Sequence, residues 1–109
     1  MKSNRVVLCG SNGYDKKYYF NEEFSSLPDA IKDELNIICV LYTEEIGGIL
    51  TLEYDQYGNL LLQVTAKEDD ILFDEIGSAL KIKEIQRTKK DLLESLEKYY
   101  KVFSLGEEL

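Results

Sequence analysis

The stretch Pro28–Gly48, PDAIKDELNIICVLYTEEIGG, decides how the rest of the chain is read. Its centre, Ile37–Leu41, is a continuous, partly β-branched apolar run of the kind that forms a buried strand. Around that run, apolar residues recur at Ile31, Leu35, Ile38, Tyr42 and Ile46, a spacing of three to four that gathers them on one helical face. The period holds on both sides of the run, so the segment reads as a buried helix, with strand as the alternative for Ile37–Leu41. Ser26 is placed to cap a free amide and Asp29 puts a carboxylate in the first turn. Pro28 is tolerated there, because early helix amides lack intrahelical partners. Gly47-Gly48 supplies the stop, since glycine accepts the left-handed conformation common just past a helix end.

Outward from this helix lie two hairpin signals. Val6, Val7 and Leu8 favour a pleated strand over Arg5–Gly10, and Tyr18, Tyr19 and Phe20 favour a second over Lys16–Asn21, or an irregular arm in its place. Between them, Ser11-Asn12-Gly13-Tyr14-Asp15 contains Asn-Gly, a turn signal because both residues tolerate positive φ. Ile49–Tyr54 and Leu60–Ala66 flank Asp55-Gln56-Tyr57-Gly58-Asn59, a hairpin by composition and loop length. Leu50, Leu52 and Tyr54 share one face there, with Thr51 and Glu53 on the other. The last element runs from about Asp70 to Phe103, capped by Asp69 or Asp70. From Ile82 its apolar positions fall at 82, 85, 92, 96, 99 and 103, broken only at Lys89. Gly77-Ser78 is the place where this helix would kink or divide. The expected fold is α+β in the order ββαββα: two hairpins in an antiparallel sheet, two helices on one face, and a long C-terminal helix. Residues 1–109 read as a single domain.

Composition narrows the function. The 109 residues carry 21 acidic and 13 basic groups, a net charge of −8 and a pI of about 4.5. A nucleic-acid partner is disfavoured, because such binders carry a positive footprint. The longest apolar run, Ile37–Tyr42, is far short of the roughly 18 residues that span a membrane. The N-terminus MKSNRVVLCG has too short an apolar stretch for a secretion signal, so the chain is expected in a reducing cytoplasm. There is no His, which removes the His-based nucleophile triads and the commonest transition-metal ligand. Cys9 and Cys39 sit inside apolar runs and read as buried free thiols.

Each candidate site has a plainer reading beside it. Glu68, Asp69, Asp70 and Asp74, with Glu75, offer oxygens to a hard cation, but the calcium-loop pattern is absent and helix capping accounts for them. Glu44-Glu45 is a carboxylate pair without evidence of separated pKa values. Cys9-Gly10-Ser11-Asn12-Gly13 follows a strand, yet has neither G-K-[ST] nor the G-x-G-x-x-G spacing of phosphate loops. Cys9 as a nucleophile would need an electropositive neighbourhood, which Arg5, Lys16 and Lys17 could supply. The tyrosine pairs Tyr18-Tyr19 and Tyr99-Tyr100 cannot both point into one core. Leu93, Tyr99, Tyr100 and Phe103 therefore stand as interface candidates on the last helix. A chain of this size buries only about two-thirds of its unfolded surface, so self-association would add stability.

VLCGSNGYDKKYYFN, LPDAIKDELNIICVLYTEEIGGILTLEYDQYGNL and AKEDDILFDEIGSALKIKEIQRTKKDLLESLEKYYKVF together resemble a family of small bacterial proteins, mainly from anaerobes, that carries a domain-of-unknown-function label. The resemblance spans about residues 6–106 and implies a bacterial cytosolic origin. It brings no activity, cofactor or catalytic residue. The reading is a non-enzymatic protein-interaction or regulatory module, homodimeric or bound to another protein, with no cofactor. The alternative is a small-ligand or cation-binding domain using the acidic 68–75 region.

Overall fold

The computed structural model describes residues 4–106. Strands β1 (Val6–Asn12) and β2 (Lys17–Phe20) form the first hairpin, and helix α1 (Asp29–Glu45) follows. Strands β3 (Ile49–Tyr54) and β4 (Leu60–Thr65) form the second, and helices α2 (Glu75–Thr88) and α3 (Lys90–Phe103) complete the expected ββαββα order. All pairings are antiparallel, with spatial order β2-β1-β3-β4. β1 and β3 are therefore central, and β2 and β4 are the edges.

Ile37–Leu41 is helical throughout. Leu35, Ile38, Cys39 and Tyr42 are buried against Leu50, Leu52 and Tyr54, the face expected of β3. β1 departs from regular pairing between Val7 and Cys9, where Leu8 is the extra residue of a bulge. The bulge explains how Leu8 and Cys9, adjacent in sequence, are both fully buried. All three helices lie on one face of the sheet. Cys9 lies against Cys39, Ser11 against Thr43, and Tyr54 against Leu96. The opposite face, with Tyr19, Thr51 and Gln63 in one row, has no helix among the described residues.

Several local expectations are corrected. In the first turn, left-handed backbone falls on Lys16 (φ 53°), not on Asn12-Gly13. Asn12 builds the turn through its side chain, whose Oδ1 accepts the Tyr14 and Asp15 amides at 2.9 and 3.2 Å. Gly13 is required for close approach: its amide donates to the Gly48 carbonyl at 2.7 Å, and a Cβ there would lie 2.9 Å from that oxygen. Ser26 does not cap α1. Pro28 occupies the N-cap position in extended backbone (ψ 147°), which carries Ser26 away from the first-turn amides. The Ser26 hydroxyl pairs instead with the Tyr99 hydroxyl at 2.9 Å.

The last helical stretch also differs in detail. It starts at Glu75, because the Asp74 carboxylate, not Asp69 or Asp70, accepts the Gly77 amide at 2.9 Å. Gly77 is part of that cap, since a Cβ there would meet Asp74 Oδ2 at 2.5 Å. The stretch divides at Lys89 (φ −112°, ψ 22°) rather than at Gly77-Ser78. This is the position where a charge interrupts the apolar repeat. The Lys89 ammonium donates to Glu34 of α1 at 2.9 Å, which ties the joint to the first helix.

Candidate interaction surface

The carboxylates weighed as cation ligands are dispersed, two of them in structural tasks and two in solvent. Asp74 is the α2 cap, and Asp70 accepts the Tyr14 hydroxyl at 2.6 Å. That bond raises the Tyr14 phenol above its ordinary range. Glu68 and Asp69 are exposed. Among the described residues, no group of three or more His, Cys, Asp or Glu is placed to hold a metal ion. Of the Glu44-Glu45 pair, Glu45 is bridged to Lys81 at 3.3 Å. Cys9 and Cys39 are free, fully buried thiols with sulfurs 3.9 Å apart. The hydrogen bond to Cys9, with burial, pushes the Cys39 thiol far above the ordinary thiol range. The Gly10–Gly13 segment is strand and turn, and opens no helix.

The four interface candidates separate. Tyr100 is core, stacked on Tyr54 with ring centroids 4.0 Å apart. Tyr99 and Leu93 are partly buried against that core. Phe103 is 76% exposed, with its ring 5.1 Å from Tyr99. The orientation of α3 is set by Tyr54, whose hydroxyl donates to the Leu96 carbonyl at 2.9 Å. This turns Tyr100 inward and leaves one aromatic of the four in solvent.

A larger unpartnered surface lies along edge strand β4. The Asp55 amide donates to the Asn59 carbonyl. By the antiparallel alternation, the pairs Glu53–Leu61, Thr51–Gln63 and Ile49–Thr65 exchange ladder bonds. Leu60, Leu62 and Val64 therefore turn their N–H and C=O groups away from β3. The Leu60 amide donates to Glu97 Oε2 at 2.8 Å. The Leu62 and Val64 amides have no partner among the described residues. Their side chains face the helices and floor a groove of about 810 Å³ between β4 and α2, walled by Ala79, Ile82 and Phe73. Ile71, on the lining of the groove, is 90% exposed, as is its neighbour in sequence Leu72; Ile76 and Leu80, on α2 outside the lining, are 76% and 63% exposed. Exposed aliphatics gathered beside an open strand edge are characteristic of docking surfaces.

A family model matches residues 5–108. The chain belongs to the DUF6145 family, a family of unknown function. The match takes in every strand and helix of this DUF6145 protein, the β4–α2 groove included. No curated protein and no solved structure matches the chain. No helix among the described residues of this DUF6145 chain is long and apolar enough to cross a membrane.

Sequence reasoning did not find the groove. LLLQVT at 60–65 does contain a signal, since it is uncharged in a strongly acidic chain. Its meaning depends on β4 being an edge, which follows from the order β2-β1-β3-β4 and not from any local motif.

Proposed function

We propose that this DUF6145 protein is a non-enzymatic protein-interaction module whose docking surface is the β4 edge, the β4–α2 groove and the aliphatic lip at Ile71 and Leu72. The observation that carries this reading is the pair of free amides at Leu62 and Val64 beside a groove on whose lining Ile71 stands 90% exposed. Exposing such groups costs solubility, and a partner that covers them supplies both hydrogen bonds and apolar burial. Phe103 is a secondary apolar point elsewhere on the surface.

The test is site-specific photo-crosslinking in the source cell. A benzophenone amino acid at Leu72 is expected to give one dominant adduct of fixed mass, suppressed when Ile76→Glu is added. The same probe at Tyr19, on the open sheet face, is the control. Equal and diffuse labelling at the two positions would overturn the assignment.

A further inference from the structure

Cys9 of β1 and Cys39 of α1 meet in the core with their sulfurs 3.9 Å apart, both fully buried and both free. The contact does not depend on one flexible side chain. Ser11, further along β1, bonds Thr43, one turn further along α1, at 2.7 Å, so strand and helix are held in register beside the pair. Cys9 follows the bulged Leu8, where the β1–β3 ladder is already interrupted and the strand has room to adjust.

We propose that Cys9 and Cys39 form a redox latch: hydrogen peroxide converts the thiol pair into a disulfide that ties α1 to the central strand β1. A disulfide holds its sulfurs about 2.05 Å apart, so from 3.9 Å each has to approach by about 0.9 Å. In the first step one thiol sulfur attacks the peroxide, the O–O bond breaks, and a sulfenic acid and one water form. In the second step the other sulfur displaces the sulfenic hydroxyl and the S–S bond forms. That hydroxyl leaves with the second thiol's proton as another water. The two sulfurs together lose two electrons, and the peroxide takes them up. In a reducing compartment the resting state is the dithiol, and closure is conditional on the oxidant.

Burial makes the latch slow to close. Thiolate is the attacking form, and the bond between the thiols, with burial, keeps the proton on Cys39. Tyr18, on the short edge strand β2, separates the pair from a cleft of about 650 Å³. Its side chain lines that cleft with Ser11, Val40 and Thr43. Its hydroxyl is buried beside Cys9, with no oxygen or nitrogen to bond among the described residues. A ring held by packing alone, on a four-residue edge strand, is the part of the wall most easily displaced. Once closed, the disulfide restricts the unfolded chain across a loop of about 30 residues, so the oxidised form is the more stable one.

The experiment uses the full reduced chain, freed of reductant and exposed to excess hydrogen peroxide well below its melting temperature. The intact mass of the single chain is expected to fall by two hydrogen atoms, and proteolysis to release one linked peptide pair holding Cys9 and Cys39. The oxidised chain is expected to melt about 10 °C above the reduced one, and a dithiol reductant to reverse the shift. Tyr18→Ala is expected to speed cross-linking severalfold. Leu96→Ala, which loosens the core on α3, is the control for general opening and is expected to speed it less. Thiols that persist under peroxide, or that gain oxygen without cross-linking, overturn the inference. A disulfide that lowers the melting temperature overturns it as well, since the native placement would then not suit the bond. Equal acceleration by Tyr18→Ala and Leu96→Ala overturns access at Tyr18. Should Tyr18→Ala fail to fold, the mass and melting of the wild-type chain still decide the latch.

Discussion

Tyr54 and Tyr100 form a stacked pair at the junction of β3 and α3, and their hydroxyls have different fates. The Tyr54 hydroxyl is buried and donates to the Leu96 carbonyl. The Tyr100 hydroxyl has no comparable bond among the described residues. Tyr54→Phe keeps the ring, the stack at 4.0 Å and the apolar burial, and deletes one hydrogen bond. Leu96 lies inside α3, so its carbonyl retains the helical amide four residues on and is not orphaned. The cost is therefore the net value of one neutral hydrogen bond, about 1 kcal/mol. Tyr54→Ala adds the loss of a fully buried ring and comes to about 3–5 kcal/mol. Tyr100→Phe, the control, is expected to stay within about 0.5 kcal/mol of wild type. Urea unfolding at pH 7 with unchanged m-values measures all three. For a domain of this size, about 1 kcal/mol corresponds to a fall of about 4 °C in Tm. A neutral Tyr54→Phe, or a Tyr100→Phe as costly as Tyr54→Phe, would refute the geometry that orients α3.

Three further outcomes are expected. The Cys39 thiol is held above its ordinary range, so the folded state keeps its proton where the unfolded chain, near 9, has lost it. Stability from this group is fully present below pH 9 and falls as pH rises beyond it, by about 1.4 kcal/mol per unit. Cys39→Ala, followed by chemical unfolding from pH 8 to 10.5, should flatten the alkaline slope by that amount while lowering stability at neutral pH. Asp74→Ala should cost about 1 kcal/mol through loss of the α2 cap, whereas Asp69→Ala should cost nothing measurable by thermal melting. Gly48→Ala combines positive φ (70°) with a Cβ placed 2.8 Å from the Phe73 ring and 2.9 Å from the Thr65 carbonyl. It should destabilise by more than Gly47→Ala, which meets open space and bears only the backbone cost of about 1 kcal/mol.

Much of the fold was legible because it is written in local periodicity. The three-to-four spacing of Ile31 through Ile46 outweighed the strand-like character of Ile37–Leu41, and alternation at Leu50, Leu52 and Tyr54 placed β3 correctly. The end of α2 was not: the break was expected at Gly77-Ser78, although the charge at Lys89 interrupts the apolar repeat where the two helices meet. What was not legible depended on choices between near-equivalent groups. Asp69, Asp70 and Asp74 all precede the same helix, and only Asp74 has a glycine three residues on to admit its carboxylate. Tyr99 and Tyr100 differ by one residue, and which faces inward is decided by Tyr54, more than forty residues earlier. The β4 groove was hidden for the same reason. An edge is a property of strand order, and strand order is set by which hairpin arms meet across α1.

That meeting has a kinetic consequence. Each hairpin closes over a short turn, but the central ladder brings Cys9 opposite Leu52. Closing a loop of about 43 residues costs about 2 kcal/mol more chain entropy than closing a loop of about 5. The two ββα halves therefore gain local structure early, and joining β1 to β3 is the late, rate-setting event, with α1 as the spacer that must already be compact. Mutations that weaken the β1–β3 ladder, such as Leu52→Ala, should slow refolding, whereas Leu61→Ala on the outer hairpin should mainly speed unfolding. Until the halves join, each exposes a bare strand along what becomes the middle of the sheet, and in that interval the chain is most exposed to exchanging halves with a neighbour.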